Sequence, residues 1–526
     1  MFRDQRPNAG AKPNSVPDQP PSPEVVLSPK RRSYIIVASL LVLFLGALDA
    51  LVMSAAMPTI VSDLGSMNLY SWVFSAYLLT RAISLPLFGK LADLFTNKTL
   101  FAISIAIFIL GSIFAGLSQN MTQLILSRVF QGIGAGGNFA LVYIVLADIS
   151  SPEKRGKTLS LASFIWGLAS VLGPTIGGVI VTYFSWRWIF FINVPIGGIS
   201  LLGIFLYLIE VREKKKEIAI DAWGSLSLTV SVLSLLTACL LAGQHYKWTS
   251  PHILGLLVIT VGFAVVLFHI EKRAKEPILP IEFFKLRGFS IGNAASFFSS
   301  FAIFSLFAFS PLFIQGALGK TPLQLAMAML SLSLGWSIGA LFCGQAVQWL
   351  RKKPSAIAGG ILMVSGCGTT LMFSAATSLL QCAVVFFIVG LGMGFVSIPT
   401  LLIVQDSVDN SDLGVATSSH QFARTLGGTV GIGIAGSFVS ERLSGSIEAL
   451  RISGLLGKIP APLQVQLQTN LENIFQPEIL AQLSTEVQKT IQNAVVQGVM
   501  RVFWLTLLVS LITFALCVLL PRRRSL

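Results

Sequence analysis

Apolar residues in this chain gather into runs of about 20, the length at which an α-helix crosses the hydrocarbon core of a bilayer, and polar residues are confined to the gaps between them. Fourteen such runs predict helices near 34–58, 70–89, 99–118, 122–146, 158–183, 187–209, 223–243, 252–270, 289–314, 324–348, 355–376, 380–404, 414–440 and 499–520. Residues 1–33 hold seven prolines and no apolar periodicity, which predicts a disordered tail. A cleaved signal peptide does not fit, because the first apolar run is about 25 residues long and lacks a small-residue cleavage site. The long gap 441–498 carries Ile474, Leu480, Leu483, Val487 and Ile491 at spacings that predict amphipathic helices on the membrane surface or on the protein.

Composition turns this pattern into a class. Of 526 residues, 54% are hydrophobic and 11% charged, which excludes a soluble globule and leaves an all-α polytopic membrane protein. The net charge of +14 would suggest nucleic acid in a soluble chain, but its distribution argues against that partner. With both termini on one side, 26 of the 37 Lys and Arg fall in the termini and loops of that side and seven in the opposite loops. By the positive-inside rule both termini are cytoplasmic, in the cytoplasmic (inner) membrane of a cell, and only an even helix count preserves the asymmetry. Cys239, Cys343, Cys367, Cys382 and Cys517 sit within apolar runs without metal-ligand spacing, so neither a metal nor a cofactor is expected.

The chain repeats itself. An offset of 258 carries Gly132, Gly134, Gly136, Asp148, Gly156, Ser160, Gly173 and Gly178 onto Gly390, Gly392, Gly394, Asp406, Gly414, Ser418, Gly431 and Gly436, and an offset of 255 carries Gly89 and Lys98 onto Gly344 and Lys353. The expected organisation is a six-helix half over 34–209, an inserted helix pair within 210–288, a second six-helix half over 289–520 that includes the outer loop 441–498, and a short tail at 521–526. Repeats that meet around a site at the membrane midplane are a transporter architecture.

Two stretches match the dinucleotide pattern GxGxxG, at Gly132 and at Gly431, but both lie inside apolar helices, where small residues serve close helix packing. Asp49 is the sole carboxylate within the fourteen runs, and a charge at that depth points to function. Arg81, Arg128 and Arg424 are its intramembrane counter-ions; Asp49 and Arg81 are at similar depth, so a direct pair between them is one expectation. Three arginines to one acid would give a central cavity a positive bias, which predicts neutral, monovalent or anionic amphiphiles over dications. Tyr77, Trp166, Gln315, Gln405, His420 and Arg424 are polar or aromatic pocket candidates.

These residues resemble the fourteen-helix drug/proton antiporters of the major facilitator superfamily. Leu48-Asp49 with Pro58-Thr59-Ile60 is similar to that family's first-helix motif, Gly89-Lys90-Leu91-Ala92-Asp93 to its cytoplasmic loop motif, and Arg128 with Gln131-Gly132 and Gly134 to its fourth-helix motif. Gly173-Pro174 with Gly177-Gly178 resembles the antiporter motif of helix five, and Trp186-Arg187-Trp188-Ile189-Phe190 with Asn193-Val194-Pro195 the entry to helix six. Departures are present: Thr96 and Asn97 stand where Gly and a basic residue are usual, leaving Lys98 alone to keep the charge, and Leu51 and Ser54 replace Thr and Asn.

The resemblance implies a major facilitator fold and a multidrug-type, proton-coupled exporter of amphiphilic small molecules. Asp49, Arg81 and Arg128 would couple protons. Gly89, Asp93 and Lys98 would form a cytoplasmic gating loop, its latch weakened by the departures; Gly173 and Pro174 of the antiporter motif would permit a kink, and Gly177 and Gly178 would pack against the other half and impede leak. A dedicated metabolite or lipid carrier of the same fold, and a channel or membrane receptor from another class, remain as alternatives. An enzyme is disfavoured because no nucleophile–base–orienter constellation is present. Protons, the bilayer and one small amphiphile are the expected partners, and the sequence leaves an accessory export partner open.

Overall fold

The computed structural model describes residues 28–65, 69–211, 221–242, 246–274, 276–374, 376–452 and 485–521. The predicted tail and Ile474, Leu480 and Leu483 lie outside them. The described residues fold into helices α1 (Pro29–Leu64), α2 (Tyr70–Leu94), α3 (Asn97–Gly116), α4 (Met121–Asp148), α5 (Pro152–Tyr183), the short α6 (Trp188–Phe191) and α7 (Asn193–Tyr207). There follow α8 (Ala222–Leu241), α9 (Pro251–Glu271), α10 (Arg287–Leu312), α11 (Pro322–Leu350), α12 (Lys352–Thr370), α13 (Leu379–Gln405), α14 (Leu413–Ile452) and α15 (Thr485–Leu519).

Local chemistry sets many of the starts. Ser28-Pro29, Ser151-Pro152, Ser250-Pro251 and Thr321-Pro322 each place an N-cap residue before a proline whose fixed φ suits the first turn and whose missing N–H costs nothing there. Thr321 with Gln324 and Ser378 with Gln381 close full capping boxes on α11 and α13. Gly65, at φ 70°, ends α1.

Thirteen of the described helices are long and apolar enough to cross a membrane. The fourteenth, α12, carries Gly359, Gly360, Gly366 and Gly368 and is less apolar, but it packs between α13 and α15 within the bundle. It runs over 352–370 where 355–376 was expected. The gap read as 441–498 is also shorter than predicted, since α14 continues to Ile452 and α15 begins at Thr485; hydropathy ends at the edge of the bilayer, whereas helical hydrogen bonding continues into water.

The repeat reappears as packing. In the first half α1 lies on α5 and α7, and α4 lies on α2 and α3; in the second α10 lies on α14 and α15, and α13 on α11 and α12. The repeated glycines explain the closest approaches. A Cβ at Gly132 or Gly136 would overlap α2, and one at Gly134 would overlap Phe108 of α3. Likewise Gly390 and Gly394 face α11, and Gly392 faces α12. The dinucleotide-like patterns are thus helix-packing surfaces.

Between the halves, α5 meets α11 and α2 meets α14. The inserted pair is asymmetric with respect to these seams. Leu228, Val232 and Leu236 of α8 pack into a cluster with Leu79, Ala82 and Ile83 of α2 and Leu426 of α14, covering the α2–α14 seam. Helix α9 lies outside α8, tied to it by a hydrogen bond from Ser231 to the Thr260 carbonyl and one between the Ser234 and Thr260 hydroxyls, and buries only Ile253 and Glu271.

Candidate functional site

Asp49 sits in α1 at 2% exposure inside the first half. Arg128 of α4 donates from Nη1 to its Oδ2 at 2.7 Å, while Oδ1 accepts from Gln131 Nε2 at 2.9 Å and from Asn193 Nδ2 at 3.1 Å. Gln131 and Asn193 also converge on Ser112 Oγ, at 2.7 and 3.1 Å, and Gln131 Oε1 accepts from Arg128 at 2.6 Å. The Arg128 guanidinium lies 4.1 Å from the Tyr77 ring centroid. Every partner of the carboxylate is a donor, so the cradle is built for the ionised form. Breaking such a buried pair by removing one member leaves an uncompensated charge, at a cost of about 3–5 kcal/mol.

The expected Asp49–Arg81 pair is not formed; the counter-ion is Arg128. Depth along the helix placed Arg81 and Asp49 level, but α4 packs on both α1 and α2 and presents Arg128 to the acid. The sequence reading missed the roles of Gln131, Asn193 and Ser112. Gln131 follows Arg128 by three residues on one helical face, a signal that was available; nothing marked Ser112.

Arg81 and Arg424 have a different setting. Both are 8% exposed, and among the described residues neither is within ion-pair distance of a carboxylate. Their partners are rings: Arg81 lies over Phe139 and Trp166, and Arg424 over Phe139 and Trp336. A cation–π contact contributes about 0.5–2 kcal/mol, less than the several kcal/mol that desolvating a charge costs.

At the end of the bundle that carries both termini, the halves are locked together. Asp93, buried at the end of α2, accepts the backbone N–H groups of Gly414 and Val415, both at 2.9 Å. Gly89 lies against Ser418 and Gly414, and its repeat partner Gly344 lies against Ser160 and Gly156. This contact rests on the carboxylate and on glycines; Thr96 bonds Thr99 and Asn97 bonds Asp148, so neither takes part in it. Lys98 instead lies over the Phe205 ring at 4.7 Å, and Lys90 pairs with Glu276 at 2.6 Å.

The remaining candidates are dispersed. Gly173 abuts Leu51 of α1, within its own half, and a Cβ at Gly178 would meet nothing within 4 Å, so the close packing expected of Gly178 against the other half is absent. Helix α5 runs through Gly173, Pro174 and Gly177 without a break. Gln315 lies in the π-helical turn Phe313–Ala317 that ends α10. Gln405 closes α13 and donates to Thr417 at 3.0 Å, which places it at the end bearing the termini. His420 Nε2 is 3.0 Å from Thr400 Oγ1 in a buried contact between α14 and α13. Tyr77 and Trp166 adjoin the buried arginines, and His420 stands one turn before Arg424 on α14.

Residues 39–432 match the family model described as Major Facilitator Superfamily. The multidrug transporter protein MdtP of Bacillus subtilis is 34% identical over 489 residues, covering 90% of each chain. Multidrug resistance protein 3 of the same organism is 30% identical over 475 residues, covering 90% of this chain and 92% of its own. Among solved structures, the human organic anion transporter MFSD10 superposes with a TM-score of 0.59 at 15% identity, covering 92% of this chain and 100% of that one, a likeness of fold alone.

Proposed function

The chain belongs to the major facilitator superfamily, and from that premise we propose that it is a proton-coupled exporter of amphiphilic small molecules in the cytoplasmic membrane, with both termini in the cytoplasm. Export is carried over from the relatives whose names speak of multidrug transport and resistance. Orientation rests on the Lys and Arg asymmetry. In that orientation the locked end faces the cytoplasm.

The observation that supports proton coupling is the closed cradle of Asp49. A proton on the carboxylate would turn one acceptor into a donor facing Arg128, Gln131 and Asn193, all of which donate already. Protonation removes the charge that holds Arg128, and release of Arg128 frees α4 to shift against α1. Helix α4 also carries Phe139, which touches Arg81 and Arg424, so a shift of this one rigid element would reach the seam between the halves. Proton and substrate would then bind exclusively, each favouring a different arrangement of the halves. One charge crossing 100 mV supplies about 2.3 kcal/mol to drive the cycle.

The test is dye transport by purified protein in liposomes. Movement of N-phenyl-1-naphthylamine or a related amphiphile against its gradient on an imposed pH difference, abolished by a protonophore, supports the reading. Movement that ignores the pH difference overturns the coupling, and failure of all dyes tested in both directions overturns the exporter.

A further inference from the structure

Arg81 on α2 and Arg424 on α14 come from opposite halves, yet their guanidinium carbons lie 4.5 and 5.3 Å from the centroid of the same ring, Phe139 of α4. Each also lies over an indole, Arg81 over Trp166 at 5.5 Å and Arg424 over Trp336 at 5.4 Å. The internal repeat relates the two pairs with their members exchanged. The 255-residue offset carries Arg81 onto Trp336, and the 258-residue offset carries Trp166 onto Arg424. The first half thus supplies cation from α2 and indole from α5, and the second half indole from α11 and cation from α14, so the four side chains form one pseudo-two-fold unit at the seam.

This unit is rich in donors, and the acceptor beside Arg81 is the uncharged Tyr77 hydroxyl. Arg81 Nε and the indole N–H groups of Trp166 and Trp336 are buried without a hydrogen-bond partner among the described residues. Two guanidinium groups that share one ring repel each other, and the ring face only partly offsets the loss of water. Buried arginines otherwise carry a counter-charge, as Arg128 does with Asp49. The planar fork of arginine fits carboxylate, sulfonate and related oxyanions, and an indole N–H adds a donor that such oxygens accept.

We infer that Arg81, Arg424 and the indole N–H groups of Trp166 and Trp336 form a receptor for one anionic group of the transported molecule. The inference rests on the exporter reading and makes amphiphilic acids, an apolar body bearing a single carboxylate or sulfonate, the preferred class among its substrates. Beside Arg81, a void of about 10 Å³ bounded by Gly46, Tyr77, Asn138, Phe139 and Trp166 has room for one water. The site is therefore contracted in this conformation, and a substrate anion enters as α2, α4 and α14 part around Phe139. Because the two arginines belong to different halves, an anion held by both resists their separation, which makes substrate binding part of the conformational cycle.

The test compares 8-anilino-1-naphthalenesulfonate with N-phenyl-1-naphthylamine, which has the same skeleton without the sulfonate. Binding is measured on the full chain in lipid nanodiscs, with protein-free nanodiscs as baseline. The wild-type protein is expected to bind the sulfonate. Arg81→Gln and Arg424→Gln are each expected to weaken it by about tenfold or more, with the amine held within about twofold, and Arg81→Lys with Arg424→Lys to recover only part of the loss, since the charge returns without the planar fork. Absent sulfonate binding, equal weakening of both dyes, or sulfonate binding unchanged in the Gln variants overturns the inference. Transport of N-phenyl-1-naphthylamine on a pH gradient is scored separately, so that the anion receptor and the exporter reading fail by different readouts.

Discussion

The carboxylate of Asp93, in the first half, caps the first turn of the helix that carries Gly414 in the second, accepting its N–H at 2.9 Å and that of Val415 at the same distance. A negative charge at a helix N-terminus meets the positive end of the helix dipole as well as two otherwise unpaired donors. Asp93→Ala removes both bonds, a loss of roughly 2–4 kcal/mol for the joined state. The expected outcome is a population shift toward separation at this end. Spin labels on cysteines at exposed Lys154 and Asp409 would report it as a longer distance, and because the native cysteines are buried they would not compete for label. An unchanged distance distribution would show that Asp93 does not hold the halves.

Gly89 makes a second, steric prediction. Its missing side chain lets α2 lie against Ser418 and the Gly414 carbonyl, and a Cβ there would overlap both. Gly89→Val should cut transport by about tenfold or more with normal insertion, because the closed arrangement is no longer reachable. Gly89→Ala with Ser418→Gly should transport better than Gly89→Ala alone. If the double variant gains nothing, the contact is not limiting.

For Asp49 the expected outcome depends on the substitution. Asp49→Asn keeps the shape but leaves Arg128 buried without its counter-charge, and should lower thermal stability as well as abolish pH-driven transport. Adding Arg128→Gln should restore part of the stability without restoring coupling, since no titratable carboxylate returns. Proton-driven export at the wild-type rate in Asp49→Asn would move the coupling site elsewhere.

The inserted pair is expected to stay out of the transport path. Val258, Val261 and Val265 of α9 are more than half exposed on the outside of the bundle. Cysteines placed there should react with lipid-phase reagents and gain no protection from substrate. Protection at several of these positions would place α9 on the pathway.

Charge sign gives the last prediction. With Arg128 neutralised by Asp49, Arg81 and Arg424 set the field at the seam. A dication brought there without compensation meets a repulsion of several kcal/mol. Paired mono- and dicationic dyes of equal hydrophobicity should be exported unequally, the dication the more slowly, and the reverse order would remove the argument.

The amino-acid order by itself determined the number and placement of the spanning segments, because crossing a bilayer requires long apolar runs and leaves charges no place but the loops. It also carried the two-fold repeat and marked Asp49, since an isolated acid in an apolar run stands out without any knowledge of its neighbours. What only the tertiary structure decided was partnership. Arg81, Arg128 and Arg424 look alike along the chain, yet the packing of α4 on α1 delivers Arg128 to Asp49 and leaves the other two to share Phe139 across the seam. Gly178 and Gly132 are also indistinguishable as letters, but one faces open space and the other a neighbouring helix. Hydropathy is a property each residue brings with it, whereas an ion pair or a close packing contact exists only between two helices, and which helices meet is settled by how every surface in the bundle packs at once.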